Sequence, residues 1–211
     1  MRSTYRIANV ALALTLGACN HARQTVATVA EDAPWPTGTF SILGYDPETG
    51  EIGGAVQSRV FSVGNGVLWA EAGVGAAATQ AIVDVSYGPQ AIAMLEDGKT
   101  PEQVVKTIWQ RDPDPDSVRW SKQGRQFAVI DAKGNVFAYT GPKATEWAGH
   151  KSCSAPKAKC TAQGNILAGP GVVDSMVAFF ERTPGHLSFR LLAALEGGQL
   201  AGGDKRGQQS A

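Results

Sequence analysis

The sequence predicts a layered α+β domain in which pairs of helices pack on β-sheets. Segments with strand-like alternation come first, two segments with helical spacing follow, strands return, and two more helical segments come last. Strands and helices grouped in this way favour separate layers, whereas a parallel βαβ fold would alternate them. A chain of 211 residues is long enough for one well-filled core, so we expect one domain.

The first strand pair is predicted at residues 39–58. The strand "TFSILGY" is followed by the turn "DPETG", which has proline second and glycine last, and then by the return strand "EIGGAVQS". Pairing across this turn places Thr39 opposite Gln57 or Ser58. Arg59 is then expected close to Thr39.

The middle of the chain predicts further strands on either side of two helices. The segment "VLWAEAGVGAAATQAIV" has β-type ends and small residues at its centre, which indicates closely packed, buried strands. The helix in "YGPQAIAMLEDG" should stop at Gly98. The next helix should begin at Pro101 with a capping box between Thr100 and Gln103. The segment "RQFAVIDAKGNVFAYTG" then predicts a second hairpin.

Helical spacing returns in "PGVVDSMVAFFERT" and "HLSFRLLAALEGG". The apolar residues expected to face the core from these two helices are Val173, Met176, Val177, Phe180, Leu187, Leu191, Leu192 and Leu195.

The N-terminal residues 1–18 have the pattern of an export signal. Two arginines precede an apolar run of about ten residues, which is too short to span a bilayer as a mature helix. The tetrad "LGAC" resembles a bacterial lipobox, which predicts cleavage before Cys19 and a lipid on its sulfur. An ordinary signal peptide with an incidental cysteine is the alternative. Residues 19–38 are polar and end in "APWPTG", which indicates a tether or propeptide before a domain at 39–211.

The cysteines fit an exported lipoprotein. Cys153 and Cys160 are expected to form a disulfide, which leaves Cys19 for the lipid. A metal-binding pair is the alternative, but no second cysteine pair accompanies it and the chain has only three histidines. We therefore expect no metal and no cofactor.

The balance of charged residues and the N-terminal signal pattern restrict the partners that we expect the protein to bind. Lysine plus arginine and aspartate plus glutamate are 19 each, so no net field would recruit nucleic acid. The N-terminal pattern predicts a periplasm-facing lipoprotein of the bacterial cell envelope, held at the membrane through the lipid on Cys19, or a secreted protein. The sequence leaves open whether the chain forms a homo-oligomer.

Thr39 is the candidate nucleophile. A threonine hydroxyl needs a neighbouring base, and an N-terminal threonine carries one as its own α-amino group, whose pKa is about 7.7 to 8.0. That base exists only after scission of the bond between Gly38 and Thr39, and glycine offers an unhindered carbonyl for the attack. A strand-start threonine favoured for its β-propensity is the structural alternative.

From Thr39 to Ala211 the chain resembles an uncharacterised bacterial family, domain of unknown function 1028, which is assigned to the N-terminal nucleophile (Ntn) hydrolase superfamily. The stretches that carry the resemblance cover the domain in order: "TFSILGYDPETGEIGGAVQSR", "WAEAGVGAAATQ", "SYGPQAI", "RQFAVIDAKGNV", "YTGPKATEWAGH", "QGNILAGPGVV" and "LLAALEGGQLAGGDKRGQQSA".

The resemblance implies a four-layer αββα sandwich, Ntn-hydrolase-like, with Thr39 as the catalytic nucleophile on the first strand. It also implies catalytic positions at Ser58 and Arg59, which would orient the amine or bind a substrate carboxylate. Family members usually continue into a further apolar strand after "QSA", whereas this sequence stops at Ala211, so we expect either that the edge strand is missing or that the sequence is truncated.

Other residues in the family's motifs are candidates for oxyanion donors or walls of the substrate pocket: Thr79, Gln80, Asn165, Asp204 and Arg206. Hydrogen bonding in turns and at strand ends is the structural alternative for each of them.

Two functions of different classes follow from these observations. The first is a hydrolase of small or cell-wall-derived amides that matures by scission between Gly38 and Thr39. The second is a non-catalytic, lipid-anchored binding module of the envelope on the same fold.

Overall fold

Residues 38–211 are described by a computed structural model. The predictions for the export signal, for Cys19 and for the tether before Gly38 lie outside these residues. The strands are β1 (Thr39–Tyr45), β2 (Ile52–Ser58), β3 (Leu68–Glu71), β4 (Gly75–Ala81), β5 (Arg125–Asp131), β6 (Val136–Thr140), β7 (Gly149–Ser152) and β8 (Lys159–Asn165). The helices are α1 (Gly64–Val67), α2 (Tyr87–Glu96), α3 (Pro101–Arg111), α4 (Gly171–Arg182) and α5 (Leu187–Leu200).

The strands form two four-stranded antiparallel sheets. The first sheet has the order β2-β1-β8-β7 and the second has the order β3-β4-β5-β6. The predicted α+β class is therefore confirmed as a mixed chain with two antiparallel sheets and helices outside them.

The first hairpin has the predicted register. Thr39 lies opposite Ser58, at the end of the pair farthest from the turn. On its other side β1 pairs with β8, and this pairing places Thr39 opposite Asn165. Side chains of directly opposed residues share one face of a sheet, so the side chains of Thr39, Ser58 and Asn165 lie side by side.

Alternation along β1 decides which face carries Thr39. Phe40 and Ile42 pack in a core cluster with the apolar residues of α4 and α5, whereas Leu43 belongs to a cluster between the two sheets. Because side chains alternate between faces, Thr39 and Ser41 share the face of Leu43. Thr39 therefore points into the space between the sheets.

The second sheet is organised in the same way. Ala77, Phe127 and Val129 pack against α2 and α3, while Ala76 and Ala128 face the other sheet. The predicted burial of the small-residue segment is confirmed for β4, whose seven residues are all buried, but it is wrong for β3, whose four residues are half-buried or exposed. The predicted capping box at the start of α3 is confirmed as well.

Three further details differ from the predictions. The segment before β3 forms the short helix α1, which includes Val67, the first residue of the predicted strand segment. The prediction that Leu192 faces the core is wrong, since Leu192 is 54% exposed and the buried face of α5 is completed by Ala194. The pairing of β7 with β8 was not predicted.

No helix among the described residues is long and apolar enough to cross a membrane.

The predicted disulfide between Cys153 and Cys160 is confirmed and closes the connection between β7 and β8. Glu181 of α4 holds the same loop, because its carboxylate accepts hydrogen bonds from the backbone N–H groups of Ser154 and Ala155 at 2.7 and 2.9 Å. These bonds, first of all the one from Ala155, keep the pKa of Glu181 below its usual value.

Candidate functional site

Thr39 lies at the buried start of β1 and is only 4% exposed. Its hydroxyl oxygen is 3.1 Å from the hydroxyl oxygen of Ser58, which is fully buried. The strand register produces this contact, since Thr39 and Ser58 are paired across the hairpin. Of the two predicted partners of Thr39, Gln57 and Ser58, the structure therefore selects Ser58 and brings the two hydroxyls together.

The carbonyl oxygen of Gly38 is held by two donors. Ser58 Oγ donates a hydrogen bond to it at 2.5 Å, and Arg206 Nη2 donates another at 2.7 Å. This carbonyl belongs to the peptide bond that precedes Thr39. A hydroxyl and a guanidinium thus converge on the oxygen that would become negatively charged if that peptide bond were attacked.

The hydrogen-bond directions around Ser58 follow from its single proton. Because that proton is donated to the Gly38 oxygen, the contact between Thr39 and Ser58 must be a bond from the Thr39 hydroxyl to Ser58 Oγ. Val60 N–H also donates to Ser58 Oγ, at 3.0 Å. The chain of hydrogen bonds therefore runs from the Thr39 hydroxyl through Ser58 to the Gly38 carbonyl.

Asp204 fixes the guanidinium of Arg206. The bonds from Nε to Oδ1 and from Nη2 to Oδ2 are 2.9 and 2.5 Å, which is a two-pronged arrangement. Asp204 itself is buried and forms an isolated β-bridge with Leu167. Asp204 and Arg206, both predicted as site residues, therefore act on the same carbonyl, Arg206 directly and Asp204 through Arg206.

The carbonyl oxygen of Thr39 has its own donors. Gln80 Nε2 lies 3.2 Å from this oxygen, and Asn165 Nδ2 lies 3.5 Å from it. The Nδ2 group of Asn165 also donates to Gln126 Oε1, while its Oδ1 is buried and has no hydrogen-bond partner. The predicted residues Gln80 and Asn165 thus hold the backbone of the candidate nucleophile.

A buried polar network supports these residues from behind. Gln126, Ser41 and Gln163 lie between the sheets with Gln80, and the bond from Gln80 Nε2 to Gln126 Oε1 is 2.8 Å. Ser41 donates to Gln80 Oε1 and accepts from Gln163 Nε2, each at 2.7 Å. The three supporting residues were not predicted as site residues. They could have been found from the sequence, because each is a polar residue at an inward-facing position of a strand.

Among the described residues, neither Arg59 nor Thr79 is hydrogen-bonded to the Thr39 hydroxyl, whose partner is Ser58. Arg59 Nη1 donates to Gln209 Oε1 at 2.6 Å on the surface. Thr79 lies on the face of β4 that packs against α2 and α3, next to Gln80 on the opposite face, and its buried hydroxyl has no hydrogen-bond partner. Their roles in catalysis or in the substrate pocket remain predictions.

The C-terminal segment forms one wall of the site. Ser58 donates its backbone N–H to the Ser210 carbonyl at 2.9 Å, and the Ser58 carbonyl accepts from Gln209 and Ser210. Arg206 belongs to the same segment. Residues far apart in the sequence therefore fix both donors of the Gly38 carbonyl.

A second buried cluster anchors the neighbouring end of β5. Asp112 accepts from Arg125 Nε at 2.8 Å and from the Tyr87 hydroxyl at 2.5 Å. Burial alone would raise the pKa of Asp112, but the hydrogen bonds from Arg125 and Tyr87 outweigh it and hold that pKa below its usual value. Burial and the Asp112 carboxylate together raise the pKa of Tyr87 well above its usual value. Since Arg125 precedes Gln126, this cluster fixes the strand end that carries the polar network.

Possible metal-binding side chains do not cluster among residues 38–211. Among residues 38–211, no group of three or more histidine, cysteine, aspartate or glutamate side chains is arranged to hold a metal ion. His150 contacts Thr140 on the edge strands, and His186 caps α5 beside Glu51.

The family comparison and the structure comparison both identify a protein family whose function is unknown. The family of unknown function DUF1028 matches residues 39–211. A crystal structure of protein SPO2555 from Silicibacter pomeroyi, described as a DUF1028 protein, is similar to this chain with a TM-score of 0.70 and 33% identity, over 78% of this chain and 69% of that one. No curated protein matches the chain. Because the family model matches every residue from Thr39 to Ala211, the chain belongs to the DUF1028 family.

Proposed function

We propose that the chain is an amide-bond hydrolase whose nucleophile is the hydroxyl of Thr39, freed as an N-terminal residue by cleavage between Gly38 and Thr39. The observation that carries the proposal is the Gly38 carbonyl oxygen, which accepts from Ser58 Oγ at 2.5 Å and from Arg206 Nη2 at 2.7 Å. A strand-start threonine retained for β-propensity alone does not require two donors on the preceding carbonyl.

The first reaction is self-cleavage. Thr39 Oγ attacks the Gly38 carbonyl carbon, its proton passes to Ser58 Oγ, and the Ser58 proton moves onto the carbonyl oxygen. The Arg206 guanidinium stabilises the negative charge that develops on this oxygen before the Ser58 proton reaches it. The bond from the Gly38 carbon to the Thr39 nitrogen then breaks, the proton on the former carbonyl oxygen moves to that nitrogen, the C=O bond re-forms, and an ester to Thr39 Oγ remains. Water hydrolyses this ester and leaves a Gly38 carboxylate and a free Thr39 amine.

The second reaction is turnover of an external amide. The new α-amino group takes the proton of Thr39 Oγ as the oxygen attacks the substrate carbonyl, and it passes that proton to the leaving amine. Water then clears the acyl ester. Ser58 and Arg206, which are released from the Gly38 carbonyl by the first reaction, are placed to serve the substrate carbonyl oxygen.

The superfamily and the cellular location complete the proposal. Two sheets packed face to face, with α4 and α5 outside one and α2 and α3 outside the other, support an Ntn-hydrolase-like αββα sandwich. The signal and lipobox patterns support a precursor that is a periplasm-facing lipoprotein of the envelope. Cleavage between Gly38 and Thr39 would separate the catalytic domain from the lipid on Cys19 and leave it in the same compartment, where cell-wall-derived amides are candidate substrates.

The test compares Thr39→Ala and Thr39→Ser with the wild-type chain. Purified protein is followed by intact mass for cleavage at Gly38, and the products are incubated with a panel of amides. The proposal expects cleavage and turnover in the wild type, both retained in reduced form by Thr39→Ser, and neither in Thr39→Ala. Unchanged cleavage and turnover in Thr39→Ala would refute it.

A further inference from the structure

The α carbon of Gly38 is enclosed on the side where an L-residue would carry its side chain. A Cβ placed there would lie 2.6 Å from Arg206 Nη2, 2.7 Å from Asp204 Oδ2 and 2.9 Å from Ile166 Cβ. Carbon atoms in favourable contact are about 3.5 to 4.0 Å apart. The space beside this carbon therefore holds hydrogen and nothing larger.

The atoms around Gly38 have little freedom to retreat. The guanidinium of Arg206 is clamped on Asp204 by two hydrogen bonds, and the Asp204 side chain is only 1% exposed. The Ile166 Cβ is fixed by its backbone, whose N–H donates to the Thr145 carbonyl at 3.1 Å and whose carbonyl accepts from Lys205 N–H at 3.0 Å. The restriction on size is thus built into the framework.

Ile166 is also held in a backbone conformation that isoleucine avoids. Its φ is +55°, in the left-handed region. A β-branched residue is an outlier there, and conformations of this kind persist where the surrounding structure enforces them, often at functional sites. The other non-glycine residues with positive φ in the described part of the chain are a serine, an alanine and an aspartate, none of them β-branched.

We propose that the acyl subsite of Thr39 accepts amides whose acyl carbon carries an unbranched CH₂ or CH₃ group, such as glycyl or acetyl amides, and excludes α-branched L-acyl groups, because Arg206, Asp204 and Ile166 together enclose the space beside that carbon. The inference rests on the proposed function. Self-cleavage first makes a glycyl ester on Thr39 Oγ, and every later acyl ester forms on the same oxygen with its carbonyl oxygen toward Ser58 and Arg206. The α carbon of a substrate acyl group then occupies the enclosed space measured at Gly38.

The first test uses the full-length precursor as its own acyl donor. Intact mass follows the appearance of the chain that begins at Thr39 in the wild type, in Gly38→Ala, and in Gly38→Ala combined with Ile166→Gly or with Ile166→Ala. Gly38→Ala should slow cleavage by at least ~100-fold, as expected for overpacking of a rigid site. Ile166→Gly should recover ~10-fold or more of that loss by removing one of the three contacts. Ile166→Ala keeps the Cβ and should recover nothing.

The second test needs no variant and therefore does not depend on the folding of one. The mature wild-type protein is given glycyl and L-alanyl amides of one chromogenic amine, and acetyl and 2-methylpropanoyl amides of the same amine. The unbranched member of each pair should be hydrolysed with kcat/KM at least ~100-fold higher.

The outcomes separate the two claims. Cleavage of Gly38→Ala at a rate close to that of the wild type, equal recovery by Ile166→Ala and Ile166→Gly, or equal turnover of branched and unbranched acyl groups would each overturn the inference while leaving the nucleophile intact. A wild-type precursor that never cleaves, or a mature protein that hydrolyses no amide, would overturn the proposed function and this inference with it.

Discussion

The Ser58 hydroxyl donates its only proton to the carbonyl oxygen of Gly38, at 2.5 Å, and at the same time accepts the proton of the Thr39 hydroxyl. One side chain therefore connects the candidate nucleophile with the carbonyl it would attack. The register of β1 and β2 creates this connection, because it pairs Thr39 with Ser58.

Ser58→Ala should slow the cleavage after Gly38 by ~100-fold or more, because it removes both the proton relay and one of the two donors on the carbonyl oxygen. Intact mass against time measures the rate. Ser117→Ala, at an exposed position, is the control and should cleave like the wild type. Equal rates for the two variants would show that Ser58 takes no part in the reaction.

Arg206→Ala should slow the same cleavage by ~100-fold, whereas Arg206→Lys should slow it by only ~10-fold. Lysine keeps the positive charge near the Gly38 oxygen but cannot reproduce the fork that Asp204 holds. Cleavage rates of the two Arg206 variants are measured at low and at moderate salt. The control is Arg119→Ala, which removes an arginine that is exposed on the surface. If Arg206→Ala cleaved as fast as Arg119→Ala, the carbonyl would need no cationic donor.

Gln126→Ala should lower the free energy of unfolding by about 2 to 4 kcal/mol, because it creates a cavity and leaves buried polar groups without partners. Gln126 Nε2 donates to the Gly164 carbonyl at 2.9 Å and to the Gly149 carbonyl at 3.1 Å, so two strands of the other sheet lose a donor. Urea unfolding monitored by fluorescence measures the change. The exposed residue Gln110 provides the control variant Gln110→Ala, and similar midpoints for both variants would argue against a structural role for the network.

The cluster around Asp112 predicts a loss of stability in acid. Because the pKa of Asp112 is lower in the folded protein than in the unfolded chain, its contribution is complete above the unfolded pKa of about 3.9 and disappears as the pH falls through the folded value. Asp112→Asn should therefore be less stable than the wild type at pH 7, and the difference should shrink below about pH 4.

Urea unfolding at several pH values checks this expectation, with Asp97→Asn as the control at an exposed position. A difference between the wild type and Asp112→Asn that stays constant from pH 7 to pH 3 would contradict the assigned role of the Asp112 carboxylate.

Reduction of the bond between Cys153 and Cys160 should cost about 2.5 kcal/mol of stability by the chain-entropy relation for a loop of this length. The double variant with Cys153→Ser and Cys160→Ser should show the same loss in urea unfolding, and reducing agent should then have no further effect. Two free thiols from Cys153 and Cys160 in unreduced, unfolded wild-type protein would show that this disulfide does not form.

The local parts of this fold could be read from the sequence, and the reason is visible at particular residues. Thr100 and Gln103 form a capping box within four consecutive residues, and the turn before β2 sets the pairing of Thr39 with Ser58. Such features depend on neighbours in the chain, so their patterns are sufficient to predict them.

The site beyond Thr39 and Ser58 depends on contacts between distant segments. The bond from Arg206 to the Gly38 carbonyl joins residues 168 positions apart, and no pattern near either residue encodes it. The left-handed backbone of Ile166 is likewise imposed by its partners, since its own side chain disfavours it. Arg59 shows that local register does not fix the direction of a side chain. Its neighbour Ser58 faces Thr39, whereas the Arg59 guanidinium points outward and contacts Gln209.

The most direct test of the central claim is the intact mass and N-terminal sequence of the protein isolated from the envelope and from the periplasm of cells that express the complete chain. A free amine on a chain that starts at Thr39 is the predicted result, and Thr39→Ala should yield none of it. A wild-type protein recovered only as an uncut chain that still carries Gly38 before Thr39 would contradict the account and favour a non-catalytic binding module.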